Sequence, residues 1–591
     1  MAVSVSSIRP VAHLPLILGM LRKLDVASII DALLPPNPAN MLSCGRGVEA
    51  LVLAMLDGHH VLYKVGARLE ARGMLPLLQA GLSRASLNDD RLGQILDRLF
   101  AANLNQVFGA LALKALEVYA LPTPWLHQDT TTIALYGAYD GAAPGDEQAR
   151  PARKGPVPPR PAYGHRKDGR ADLKQVLLSL GVSGDGGLPL RLGIRDGKTN
   201  ESTETPVAIE ECLALGLDGG LGIVADSKAY SRRTLGLCCE KQIGLVTLVP
   251  RTCAVRQELE AWGRQQTTLP LLLEKPGRTA HDAPRRWRGR SVSRTVEVEY
   301  ADKRVAWEEV RFVAVHSPQL AYQQAQASTT AQAQEAKRLA TPIAHVATQR
   351  FACATDAEAA IAAYEGRERG RRGRQPQPWR YHVLQYTVDV VQQPKKRTRR
   401  GRPPKGEVSV EEVCYRLAIQ TEALVQAEDE PGWFVLATTV GPEVCSDAQI
   451  VQAYREQTTT VEPGFRWIKN PAAIAPVWLE KPERIAALAM LTVVGLLVYS
   501  LLQRQVRLYR QHHDQQMPGN KGETATPTAA VILSLFAQVM MVHMEMDQAV
   551  SLHVYGLQPH HLTICDALEI DRAWYAPSLS QQNHGRSVPS P

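Results

Sequence analysis

Few of the short motifs that announce redox or nucleotide chemistry occur in this chain. Its nine cysteines are scattered, with one vicinal pair, Cys238-Cys239, but no CxxC and no Cys/His cluster at zinc-ligand spacing. The opening residues MAVSVSSIRPVAHLPLILGML lack the early basic cluster and small-residue cleavage site of a secretory leader, so the expected compartment is a reducing cytosol. There is no GxxxxGK[ST] loop, and Gly184-Asp185-Gly186-Gly187 reads as a hairpin turn rather than a phosphate cradle. ATP-driven chemistry is therefore not expected. No Ser-His-Asp or Cys-His nucleophile is suggested either.

Long apolar runs are scarce too. Ile485 to Leu502 is eighteen uncharged residues between Arg484 and Arg504, the lower limit for a membrane span. Thr492, Gly495 and Ser500 weaken it, and no second run exists for it to pack with. The expectation is a buried core helix and no membrane; a membrane-associated protein rests on this segment alone.

What is present is an ordinary globular composition, 45% hydrophobic and 21% charged, over 591 residues. That length is too great for one core, and three or four domains are expected. The net charge is +8, but between Tyr364 and Lys405 there are 13 Lys or Arg against three acids, a local +10. The other residues therefore sum to 8 − 10 = −2. Such a segment attracts phosphate polyanions, or else is a solvated linker. Within it Lys395, Lys396, Arg397, Arg400 and Arg402 are clustered, and Arg400-Gly401-Arg402-Pro403 resembles the core of an AT-hook, which lies in the narrow A·T minor groove.

The hydrophobic period changes along the chain. Residues 1–120 read as helical, with Ser86 or Asn88 capping SLNDDRLGQILDRLF. From Trp125 the period is two: WLHQDTTTIALYGAY, DLKQVLLSLGVS and LPLRLGIRDG are strands, Thr203 to Leu215 a helix, LGIVADSKAYS a strand, Arg232 to Gln242 a helix and IGLVTLV a strand. Three strands, helix, strand, helix, strand is the order of a ribonuclease-H-like sheet, in which the ends of the first and fourth strands come close. Asp129 and Asp226 sit at those places. Two adjacent carboxylates repel unless a cation holds them, and oxygen-only ligation suits Mg²⁺ or Mn²⁺. For each residue the alternative is a structural aspartate capping the following turn.

A third acid is suggested by YREQTTTVEPGFRWIKN, Tyr454 to Asn470. Ile450, Val451, Tyr454, Val461, Phe465 and Ile468 mark an apolar helical face, and Arg455, Glu462 and Lys469 form a charged stripe beside it. Ser446 is the expected N-cap. Pro463 predicts a kink or a helix restart that aims Glu462 out of the regular helix.

The blocks HQDTTTIALYGAYD, YGHRKDGRADLKQ, GIVADSKAYS and YREQTTTVEPGFRWIKNPAAIAPVWLEKPERIAALAML, spanning about Trp125 to Leu502, resemble bacterial insertion-sequence transposases of the Asp-Asp-Glu class, in the IS-four-like group with a large insertion. The resemblance implies that Asp129, Asp226 and Glu462 are the catalytic acids. It also implies that they hold two Mg²⁺ ions, replaceable by Mn²⁺, roughly 4 Å apart for phosphoryl transfer. Lys469 matches the lysine of the family's Tyr-Arg-Glu-Lys signature; Thr458 stands where its arginine is expected, leaving Arg455 or Arg466 for the phosphate contact. The implied partners are double-stranded DNA, as terminal repeats and target, and a second copy of the chain; the implied location is the cytoplasm, at the nucleoid.

The expected fold is α/β: a ribonuclease-H-like core in two parts, 121–250 and 431–510, an α+β insertion domain at 251–430, an all-helical N-terminal domain at 1–120, and a helical C-terminal region with a disordered tail at 511–591. Pro527 is expected in the first turn of a helix running through TPTAAVILSLFAQVMMV. The competing class is a decayed or domesticated transposase acting as a DNA-binding regulator.

Overall fold

A computed structural model describes residues 3–36, 41–58, 61–122, 125–137, 139, 155–164, 172–214, 216, 222–277, 282–362, 364, 366–367, 377–394, 411–423, 430–470, 479–519, 522–546 and 549–575. Lys395, Lys396, Arg397, Arg400 and Arg402, with the AT-hook-like core, lie outside the described residues, as does the tail from 576. The chain forms two compact units: Met1–Glu258 with Ser291–Val313 and Val435–Pro591, and Leu259–Arg290 with Ala314–Phe434.

Six neighbouring strands of a nine-stranded mixed sheet position the candidate site: β1 (Trp125–Leu135), β2 (Lys174–Ser183), β3 (Pro189–Arg195), β4 (Gly222–Ala225), β5 (Gly244–Leu248) and β6 (Trp433–Thr438). Their spatial order is β3-β2-β1-β4-β5-β6. β1, β2 and β3 are an antiparallel meander. β4 lies parallel to β1 and β5 parallel to β4, whereas β6 is antiparallel to β5. A parallel neighbour needs a crossover, and the Arg232–Lys241 helix supplies the one between β4 and β5. This is the α/β, ribonuclease-H-like order expected from the strand pattern.

The helices Leu14–Lys23, Val26–Leu33, Cys44–Leu56, Leu62–Ala71, Asp89–Ala101 and Leu104–Val118 belong to the same unit as strands β1 to β5. Of the two candidate caps, Asn88 is the one used, its side chain accepting the Arg91 N–H at 2.8 Å. At Gly45 two of these helices meet closely, since a Cβ there would lie 2.2 Å from the Ala27 carbonyl oxygen. A strand the helical pattern did not suggest, Val3–Arg9, comes first and pairs antiparallel with Met540–Met546.

The apolar run is the middle of the Pro482–His513 helix, and 94% of its most apolar eighteen-residue window is buried inside the protein. It packs on β3 and on the Cys44–Leu56 and Asp89–Ala101 helices. Arg484 grips Asp97 with two hydrogen bonds of 2.8 and 2.7 Å, anchoring the helix start. The hydrophobicity of the run thus serves a core surrounded on all sides rather than one face.

The C-terminal region differs from expectation. The helix covers only Ala529–Leu535, with Thr528 as its cap and Pro527 just before it, and Met540–Met546 is a strand hairpinned with Ala549–Tyr555. MMVHMEM alternates, and both neighbouring strands offer it ladder partners, so tertiary pairing overrides the helical start of the segment.

In the second unit the Pro318–Thr348 helix packs on a hairpin of His382–Pro394 with Glu411–Ala423. Val346, Ala357, Ile361 and Leu417 form its small buried core. Glu335, buried on that helix, accepts the Tyr381 N–H at 2.7 Å and so fixes the hairpin's first strand. Glu411–Ala423 was not expected as a strand, because it follows directly on the basic segment that reads as linker.

Val494 is 1% exposed at the centre of the long helix. Val494→Asp buries an unpaired carboxylate at a cost of several kcal/mol. The expected outcome is loss of the cooperative thermal transition and aggregation on gel filtration, while Leu508→Gln near the helix end leaves the transition in place.

Candidate active site

Strand β1 alternates through His127, Gln128 and Asp129, so Gln128 projects to the side opposite its two neighbours. On Gln128's side lies a buried polar network. Arg191 of β3 is 1% exposed and donates to Gln128 Oε1 at 3.1 Å, Ser179 Oγ at 2.8 Å, Glu204 at 2.8 Å and Glu211 at 2.8 Å. Arg195 meets the same two glutamates at 3.0 and 2.7 Å. Two guanidiniums against two carboxylates leave no net buried charge, and the shared partners tie β1, β2 and β3 to the Glu201–Ala214 helix. The sequence pattern alone does not disclose this network; its signal is an arginine inside the apolar strand LPLRLGIR.

On the other side stands Asp129, half-buried, its carboxylate accepting the Thr130 N–H at 2.7 Å. The parallel ladder pairs Gln128 with Ala225, so Asp129 and Asp226 are the next residues in register on adjacent strands. Asp226 is also a cap: its Oδ1 accepts the Lys228 N–H at 3.0 Å at the start of the Ser227–Ala229 turn, and its carbonyl accepts from Thr247 at 2.7 Å. The capping role open to this residue is therefore present in the fold.

The third acid is carried by the Asp447–Ile468 helix, which opens with a full capping box of Ser446 and Gln449. It continues as one helix through Pro463, so the helix does not restart there. Pro463 denies the Thr459 carbonyl its N–H. The buried residues Ile450, Val451, Ala453, Val461, Phe465 and Ile468 nevertheless pack on both sides of the proline, so both halves of the helix are held by the core. Thr460 adds hydrogen bonds to the Glu456 and Gln457 carbonyls just before the proline. Gly464 then allows close approach, because a Cβ would sit 3.1 Å from Leu496 of the long apolar helix.

This helix packs across β1 and β4. Its first half lies toward Asp226: burial, reinforced by the charge of Asp226, pushes the Tyr454 phenol up to about 12. At mid-helix Gln457 donates to the Gln128 carbonyl at 3.3 Å. Its last turns, with Asp129, line a cavity of about 670 Å³ bounded by Asp129, Thr130, Thr131, Glu462, Phe465, Arg466, Lys469 and Asn470. Asp129 and Glu462 therefore face one space together with Lys469 and Arg466, whereas Arg455 and Asp226 are not among its lining residues. Among the described residues no group of three His, Cys, Asp or Glu side chains is gathered closely enough to hold a metal ion. The donors that do share the cavity are carboxylate oxygens beside hydroxyls, a set suited to a hard divalent cation rather than to zinc.

The chain matches the family model of the Transposase DDE domain over residues 146–500, and that of a Domain of unknown function (DUF4277) over residues 6–113. No curated protein matches it. Among solved structures, a piggyBac transposase synaptic complex with hairpin DNA aligns with 12% identity and a TM-score of 0.25, over 50% of this chain and 60% of that one.

His127 is fully buried two residues before Asp129, and neither ring nitrogen finds a hydrogen-bond partner among the described residues. Burial alone pushes its pKa down from 6.5 to about 4. The folded protein keeps the ring neutral while the unfolded chain takes up a proton below about 6.5. Stability from this group is thus complete above that pH and is lost as pH falls toward 4. In urea titrations from pH 7 to pH 4, His127→Phe is expected to lose less stability over this interval than the wild type. Equal losses would place the acid sensitivity elsewhere.

The residues matched by the transposase model, 146–500, are more than half of the 591, and the chain belongs to the Transposase DDE domain family.

Proposed function

We propose that the protein binds the ends of its own mobile element and cuts and joins DNA strands there by divalent-metal-dependent phosphoryl transfer, as a member of the IS-four-like group. The observation that supports this is the shared cavity of Asp129 and Glu462, with Asp226 level with Asp129, one residue beyond the Gln128–Ala225 pair of the parallel ladder.

Asp129, Asp226 and Glu462 would hold Mg²⁺ or Mn²⁺. A divalent cation bound there lowers the pKa of bound water and offsets charge on the phosphate under attack. The chain itself supplies the rest. Lys469 and Arg466 face the cavity and draw a DNA phosphate toward the acids. Thr130 and Thr131 offer hydroxyls to the same space. Phe465 closes one side against water, and Arg455, a turn or more upstream, reaches the flanking backbone. The basic segment with Lys395, Lys396, Arg397, Arg400 and Arg402 adds duplex affinity. A homodimer holding two element ends in the cytoplasm is the assembly this reading requires.

One observation favours a second reading, a regulator that binds DNA without cutting it. The Asp226 carboxylate is engaged in capping, and among the described residues the three acids are not gathered into one cluster.

Purified protein, a duplex bearing the element's terminal repeat, and Mg²⁺ decide between them. Asp129→Asn, Asp226→Asn and Glu462→Gln are each expected to lower the cleavage rate by more than the roughly 10–100-fold typical of groups that only support a metal ligand. Binding of the duplex is expected to persist. A Glu462→Gln protein that cuts at the wild-type rate removes Glu462 from the site, and a wild type that binds but never cuts establishes the regulator.

A further inference from the structure

In the second unit the strand that begins at Arg285 opens with RRWRGR. Alternation places Arg286, Arg288 and Arg290 on one exposed face, while Trp287, 4% exposed, and Gly289 turn inward. Gly289 is obligatory at its place: a Cβ would lie 2.4 Å from the Ala314 carbonyl oxygen. The strand is thus pressed onto its neighbour, which fixes the outward face.

Among the described residues, little on that face neutralises the row. Arg286 pairs with Glu274 at 2.7 Å on the neighbouring Leu271–Lys275 strand. Arg288 donates to the Leu269 carbonyl at 3.2 Å and Arg290 to the Gln266 side chain at 3.5 Å, both uncharged acceptors. Each guanidinium has five N–H donors, so most remain for another partner. Residues two apart on a strand are about 7 Å apart, so three guanidiniums in a row can reach separate phosphates along a duplex backbone. An arginine fork pairs bidentately with a phosphate.

We infer that Arg286, Arg288 and Arg290 form a comb that binds the phosphate backbone of duplex DNA irrespective of sequence. The inference rests on the transposase reading for its choice of polyanion. It is independent of the acids and of the basic segment at 395–402.

The test uses full-length protein and a random-sequence 30-base-pair duplex, with affinity measured across a salt series. Arg288→Ala/Arg290→Ala is expected to make the slope of log K against log salt shallower by about two, one for each phosphate that these arginines neutralise. Arg288→Lys/Arg290→Lys keeps the charges and is expected to restore most of the slope, which a folding defect would not allow. Metal-dependent cleavage of element ends at saturating protein should be unaffected. An unchanged slope in the alanine variant overturns the comb. So does a variant that loses only polyglutamate binding, since the face then fits an acidic polypeptide. A wild type that never cuts, with the slope change present, leaves the comb standing and removes the catalytic reading instead.

Discussion

The parallel ladder between β1 and β4 is the constraint on which the site depends. Asp129 and Asp226 are separated by almost a hundred residues, yet pairing of Gln128 with Ala225 makes them neighbours at the same level of the sheet. Bringing two carboxylates together is unfavourable, and the fold applies several restraints against it. Asp129 takes the Thr130 N–H, and Asp226 takes that of Lys228. Behind β1, the Arg191 network holds the meander from the opposite face with hydrogen bonds that only one register satisfies.

The helix bearing Glu462 completes this arrangement by packing rather than by polar contact. Its apolar face covers β1 and β4, and Gly464 brings it close to the long buried helix. A proline within such a helix weakens its own ladder, but side chains buried on either side hold both halves in one continuous helix. Local propensity loses here to tertiary burial.

That contest also marks what the sequence could disclose. The strand order, the juxtaposition of Asp129 with Asp226, the Ser446 cap and the buried nature of Ile485 to Leu502 were legible because each is written in a local period or motif. Continuity of the helix through Pro463, the Val3–Arg9 and Glu411–Ala423 strands and the C-terminal hairpin were not, because each depends on a distant partner. The Arg191 network was hidden for the same reason. Its arginine, glutamates, serine and glutamine come from β1, β2, β3 and a helix, and no spacing joins them. Within the site, Lys469 and Arg466 share the cavity of Asp129 and Glu462 while Arg455 does not line it, a distinction that three cations on one helix do not reveal beforehand.

The pairing of Val3–Arg9 with Met540–Met546 has a consequence for synthesis. The early strand leaves the ribosome with no partner, and more than five hundred residues must follow before its ladder exists. At about 5–20 residues per second this is roughly half a minute to two minutes. Throughout that interval the nascent chain carries a strand whose ladder partner has not yet been made. Forming this ladder is therefore a docking of late residues onto early ones, and a chain stopped short of residue 540 would leave that strand without its partner.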